Sequence, residues 1–272
     1  MTERGFQTVR GVRLSWLDFG GDGAPLLALH GHYSCARTFA GLARALAGRW
    51  RVVALDQRGH GWSDAPADTS RQAYVDDAIA TIEHLRLAPA VVLGHSLGGV
   101  NAYQLAARRT DLVRALVVED VGADTRSVPD FVPDWPERFE SMRDVLAYSK
   151  ERGWMADPYF LENLVEYPEG WGFRFSRIGM RDSQRAMEGN WWSDWLASSC
   201  PALLLHGHKS WVLRTHDARE MAARRSNVRL VEFPDCGHTI HDERPQEFCG
   251  AVAEFLDSLP SVSGETVAEP RA

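Results

Sequence analysis

Gly94-His95-Ser96-Leu97-Gly98 sets a serine between two glycines, each two positions away. The apolar run Val91-Val92-Leu93 leads into it, and an amphipathic segment from Val100 to Arg108 follows. That order describes a strand, a turn too tight for ordinary residues, and a helix. Side chains at the two glycines would collide with the neighbouring strand and helix. The turn lifts the Ser96 hydroxyl clear of the sheet at a helix N-terminus, where a serine hydrolase needs it. Two other stretches suit the same chemistry. Leu29-His30-Gly31-His32-Tyr33 follows an apolar run, and a turn there can aim the His32 N–H at a substrate carbonyl. The Leu97 N–H, just past the serine, supplies a second donor, so the pair would form an oxyanion hole. Near the C-terminus, Pro234-Asp235-Cys236-Gly237-His238 places a histidine in a loop after the last strand.

The elements that must hold these residues are legible as short apolar runs alternating with helical patterns. Leu26 to Leu29, Val52 to Leu55, Val91 to Leu93, Leu116 to Val118, Ala202 to Leu205 and Val228 to Phe233 are expected strands. Thr38 to Ala47, Arg71 to Leu85, Val100 to Arg108 and Thr215 to Arg225 are expected helices. This alternation predicts an α/β fold, a mostly parallel twisted sheet flanked by helices. An opening hairpin, Phe6 to Val9 with Arg13 to Phe19, is expected to cap one edge. The rhythm breaks over residues 124–199, which hold six of the ten tryptophans. Helical spacing over Trp135 to Lys150 and Asp157 to Val165 predicts an inserted helical cap. The core then comprises residues 1–123 and 200–260, and the polar tail 261–272 is expected to be disordered. Most cap rings should form the cap's own core. Trp135, Trp154, Trp191 and Trp192 are candidates to line the cleft, with Tyr33, His95, Trp211 and His241.

Composition narrows the function classes. A net charge of -7 without a basic run disfavours nucleic acid and anionic membrane as partners. No apolar leader opens the chain and no segment reaches transmembrane length, so a cytoplasmic location is expected. Cys35, Cys200, Cys236 and Cys249 are scattered, which suggests reduced thiols and no zinc site. His206 and His208 lack a carboxylate at ligand spacing, so no metal is expected, and no cofactor is implied. The expected partner is a small hydrophobic substrate. Monomer and homodimer both remain open.

Four strings together carry a family resemblance: His30-Gly31, Asp56-Gln57-Arg58-Gly59-His60-Gly61-Trp62-Ser63, Gly94-His95-Ser96-Leu97-Gly98-Gly99 and Gly237-His238. In this order the chain resembles the α/β-hydrolase superfamily, in the capped branch of esterases, lactonases, C–C bond hydrolases and cofactor-free haloperoxidases. The resemblance implies Ser96 as nucleophile and His238 as general base. It also exposes a departure. The family's acid usually follows the strand ending here at Leu205, where this chain reads His206-Gly207-His208-Lys209-Ser210-Trp211. Neither Ser210 nor Trp211 can offset an imidazolium as a carboxylate does. Some relatives, notably haloalkane dehalogenases, carry the acid one strand earlier, and Asp120 matches that place. Glu119 is the alternative acid, although alternation along a strand points it the other way. Asp217 falls in a helix and reads as a solvated residue.

A serine nucleophile implies an acyl-enzyme, and hydrolysis of an ester, lactone or thioester with an apolar or aromatic part. Thr239 follows His238 where C–C bond hydrolases typically carry a tryptophan, which weakens a C–C hydrolase reading. A non-hydrolytic protein that binds or cyclises a ligand stays open as a second reading, and a perhydrolase side activity as a third.

Overall fold

The computed structural model describes residues 1–126, 128, 136–152 and 158–260. Its strands are β1 (Glu3–Val9), β2 (Val12–Asp18), β3 (Ala24–Leu29), β4 (Trp50–Asp56), β5 (Ala90–His95), β6 (Val113–Glu119), β7 (Leu164–Tyr167), β8 (Gly170–Phe173), β9 (Ala202–Gly207) and β10 (Val228–Phe233). Eight of them form one sheet in the order β1-β2-β4-β3-β5-β6-β9-β10. The β1–β2 hairpin is antiparallel and closes one edge, while β4, β3, β5, β6, β9 and β10 run parallel to one another. The order turns back at β3, with β4 on one side and β5 on the other. In open α/β sheets the crevice beyond the strand ends at such a switch point is where ligands bind.

The helices are α1 (Ala40–Ala45, preceded by a 3-10 turn at Ala36–Phe39), α2 (Arg71–His84), α3 (Leu97–Arg108), α4 (Met142–Arg152), α5 (Pro158–Leu161), α6 (Arg177–Met187), α7 (Trp192–Ala197), α8 (Thr215–Arg224), α9 (Ile240–Glu243) and α10 (Pro245–Asp257). Both sheet faces are covered, which is why the central strands read as unbroken apolar runs. Alternate residues serve opposite cores. Leu27, Leu29, Val92 and Val118 pack toward α2 and α3, and Leu26, Ala28, Val91 and Val117 pack toward α1 and α10. Among the described residues no helix is long and apolar enough to cross a membrane.

The chain between β6 and β9 differs from a purely helical insert. Helical spacing carried the expected helix to Val165, but α5 ends at Leu161 and β7–β8 form an antiparallel hairpin. The reason lies at its turn. Gly170 has φ +120°, and a Cβ there would stand 2.3 Å from the Phe139 carbonyl oxygen. Phe139 pairs with Trp171 as a bridge beside it. The chain returns to the main core at α7, where Trp195 is wholly buried against Tyr103. Residues 261–272, expected to be disordered, lie outside the described residues.

Candidate active site

Ser96 caps β5 at φ +51° and ψ -115°, a strained backbone for a residue with a side chain. The strain is imposed by packing on either side. A Cβ at Gly94 would lie 2.1 Å from the Gly98 carbonyl oxygen, and one at Gly98 would lie 2.0 Å from that of Leu29. The turn opens α3, so the Leu97 N–H has no carbonyl one turn earlier to reach. Ser96, His32 and His238 line one cavity of about 410 Å³, together with Tyr33, Phe160, Met187 and Trp211. Its walls are predominantly apolar, and Lys209, the cation among the described lining residues, pairs with Asp235 at 3.1 Å.

Asp120 leaves β6 at φ +51° with its side chain fully buried. Its Oδ2 accepts from His238 Nδ1 at 2.8 Å and from the Ser210 hydroxyl. Its Oδ1 accepts from the Gly207 N–H at 3.0 Å and lies 3.2 Å from His206 Nδ1. Burial alone would raise its pKa, but the bonds from His206, His238 and Ser210 outweigh burial and hold the carboxyl below its ordinary range. Ser210, at the position where the resemblance places the usual acid, thus touches Asp120. Its Oγ also accepts from the Val212 and Leu213 N–H groups at 3.1 and 3.3 Å, which turns its own hydrogen toward Asp120. His206 and Ser210 were not expected as partners of Asp120. The vacated acid position was the signal available for Ser210.

Glu119 does not reach His238. Strand alternation sends it to the opposite face, where its Oε1 accepts from the N–H and the Nδ1 of His241 at 2.9 and 2.8 Å. Burial opposes charge on His241, yet the Glu119 carboxylate overrides it and lifts the imidazole to about 9. His241 is therefore half of a buried ion pair and does not line the cavity. His95, Glu119 and His241 bring ligand atoms within 4.8 Å of one another, but this His241–Glu119 pair occupies the cluster. Asp217 pairs with Arg214 at 2.6 Å at the start of α8, away from His238.

His95 also differs from expectation. Its ring is fully buried, 4.6 Å from that of His238, and its Nε2–H donates to the His238 carbonyl at 3.0 Å. It supports the histidine loop from beneath without lining the cavity. Trp191 donates to the Met187 carbonyl at 3.0 Å, Trp192 carries the Arg224 guanidinium on its ring, and both pack against the main core. A large ring is stabilised by that burial, so neither faces the cleft. Trp135 and Trp154 lie outside the described residues. Tyr33 and Trp211 do line the cavity.

The insert grips the loop after β3 through contacts that leave no periodic trace. Tyr159 donates to the His32 carbonyl at 2.6 Å, Asn163 to that of Tyr33 at 2.7 Å, and Gln184 to the Tyr33 hydroxyl at 2.7 Å. His32 Nε2 lies 2.9 Å from Ser183 Oγ, and burial followed by the Arg71 charge pushes its pKa down to about 3. Its imidazole is neutral at ordinary pH. The thiols of Cys35 and Cys236 are pushed up to about 12 by burial, so neither is a nucleophile at ordinary pH.

Residues 26–251 match the alpha/beta hydrolase family. The chain is 30% identical to an sn-1-specific diacylglycerol lipase of Mus musculus, over 91% of this chain and 86% of that one. It is 28% identical to a 2-(acetamidomethylene)succinate hydrolase of Mesorhizobium japonicum, over 88% of this chain and 90% of that one. A crystal structure of E-2-(acetamidomethylene)succinate hydrolase superposes with a TM-score of 0.82 at 24% identity, covering 95% of this chain and all of the other.

Proposed function

The chain belongs to the alpha/beta hydrolase family and is a hydrolase; on that premise we propose that it cleaves an ester, lactone or thioester of a small hydrophobic substrate through an acyl-enzyme on Ser96. The observation that carries this reading is the 2.8 Å contact between His238 Nδ1 and Asp120 Oδ2. A carboxylate can only accept, so Nδ1 carries the hydrogen and Nε2 presents a lone pair. That tautomer can take the Ser96 proton as the hydroxyl attacks the substrate carbonyl. The imidazolium that forms is offset by Asp120 and returns its proton to the leaving group. Water then attacks the acyl-enzyme by the same route in reverse. The N–H groups of His32 and Leu97 stabilise the oxyanion in both steps.

The apolar walls of Tyr33, Phe160, Met187 and Trp211 support a hydrophobic acyl or aromatic part. A relative named for diacylglycerol agrees with ester chemistry. The test is a panel of p-nitrophenyl esters, aryl lactones and acyl thioesters assayed with the native protein and with Ser96→Ala. Turnover that Ser96→Ala abolishes supports the reading. A native protein inert to the whole panel refutes it and turns attention to ligand binding or cyclisation.

A further inference from the structure

The Asp120 carboxylate faces two imidazoles, and the acyl-enzyme chemistry uses one of them. His238 Nδ1 meets Oδ2, already shared with the Ser210 hydroxyl, while Oδ1 has the Gly207 N–H and His206 Nδ1. His206 lies near the end of β9 with its side chain wholly buried. Its other nitrogen, Nε2, lies 2.9 Å from Thr215 Oγ1 at the start of α8. Bonding to a carboxylate requires hydrogen on Nδ1, so a neutral ring has a bare Nε2 that accepts the Thr215 hydroxyl. A neutral ring also leaves the negative charge of Asp120 to His238. The charged neighbourhood is completed by His208, whose ring lies 5.5 Å from that of His206. His208 Nε2 is 3.6 Å from Glu232, which Arg219 holds at 2.9 Å.

We propose that His206 is a positioning residue: its Nδ1–H, in the tautomer that the carboxylate selects and the Thr215 hydroxyl accommodates, pins the Asp120 carboxylate in the orientation presented to His238. Asp120 leaves its strand through a positive-φ turn, and its carboxylate can rotate unless both oxygens are held. Without His206, Oδ1 keeps only the Gly207 N–H, while Oδ2 keeps His238 and Ser210, so rotation is opposed less firmly on the Oδ1 side. The inference rests on the reading of Asp120 as the partner of His238.

Two substitutions of similar size separate the hydrogen bond from mere packing. The side-chain amide of His206→Asn falls near the place of Nδ1, and that of His206→Gln near the place of Nε2. The second-order rate of labelling by a fluorophosphonate is measured against pH for both, with Thr215→Val, Asp120→Asn and the native protein, and thermal melting reports folding. His206→Asn should keep the rate within about threefold. His206→Gln should lose roughly ten- to a hundredfold, the range for a hydrogen bond to a charged group. Thr215→Val should fall between them and shift the acidic limb of the pH profile. Equal rates for the Asn and Gln variants, both high or both low, overturn the proposal. Should either variant fail to fold, an unchanged rate and profile in Thr215→Val overturns it. A native protein that does not label, or an Asp120→Asn variant that labels like it, refutes the underlying reading and this inference with it.

Discussion

Replacing Asp120 by asparagine preserves shape and removes only the charge and the acceptor symmetry. The native carboxylate has donors on both oxygens: His238 and Ser210 on Oδ2, Gly207 and His206 on Oδ1. An asparagine has one oxygen for two such sites. With its oxygen toward Gly207, its NH2 faces the His238 Nδ1–H, and the imidazole must move its hydrogen to Nε2, where it cannot accept the Ser96 proton. With the amide reversed, the NH2 faces the Gly207 N–H and His206 instead. Bulk water does not reach the group to compensate, since Asp120 is 0% exposed. A wrong histidine tautomer costs about 10⁴ in kcat in a serine triad, which is about 5.5 kcal/mol of barrier at about 1.36 per tenfold. The assay is steady-state hydrolysis of a p-nitrophenyl ester near neutral pH, with circular dichroism and a melting curve to establish folding. Asp217→Asn, which disturbs surface contacts with Arg214 and His216, should change kcat less than twofold, roughly the effect of an exposed ion pair. A folded Asp120→Asn variant within tenfold of the native rate would refute the placement of the acid.

Further perturbations have distinct signatures. The folded-state pKa of His241 is raised from 6.5 to about 9, so its stabilisation is fully present below pH 6.5 and is lost as pH rises through about 9. The rise corresponds to about 3 kcal/mol. The urea midpoint should fall between pH 6.5 and pH 9.5, and Glu119→Gln should destabilise the protein and flatten that slope; an equally steep slope in the variant contradicts the pairing. Ser210→Ala removes a donor from Asp120 and should lower kcat about tenfold, with an unchanged rate counting against its orienting role. Arg71 is fully buried with Nη1 and Nη2 unpartnered, and burial pulls its pKa down to about 10. Arg71→Met removes that buried charge at the loss of the Nε contact to Gln104 and should therefore raise the melting temperature. A lowered melting temperature would show that the Tyr74 ring, 5.0 Å away, already compensates the charge.

What the sequence disclosed follows physical rules, and so does what it hid. Strands buried on both faces announce themselves as apolar runs, and β3 to β6, β9 and β10 lie where those runs do. The serine turn was visible because only glycine fits beside it. The insert was harder, because its hairpin depends on a positive-φ glycine packed against Phe139, a contact with no periodic signature. Trp191 and Trp192 were misplaced for a related reason. Aromatic residues in an insert read as pocket walls, but burial against α3 and its neighbours stabilises them more. Glu119 and Asp120 are adjacent acids, and strand alternation sends one to His241 and the other to His238. The brace around Asp120 was invisible, because His206, Ser210 and Thr215 converge from a strand, a loop and a helix.

Activation of Ser96 to form a covalent acyl-enzyme is the step on which the whole mechanism depends. Its most direct test is incubation with a fluorophosphonate, followed by intact mass and peptide mapping, beside Ser96→Ala. One adduct per chain is expected, mapped to the peptide containing Ser96 and missing from the variant. An adduct on another residue, or a native protein that remains unmodified, would contradict the mechanism.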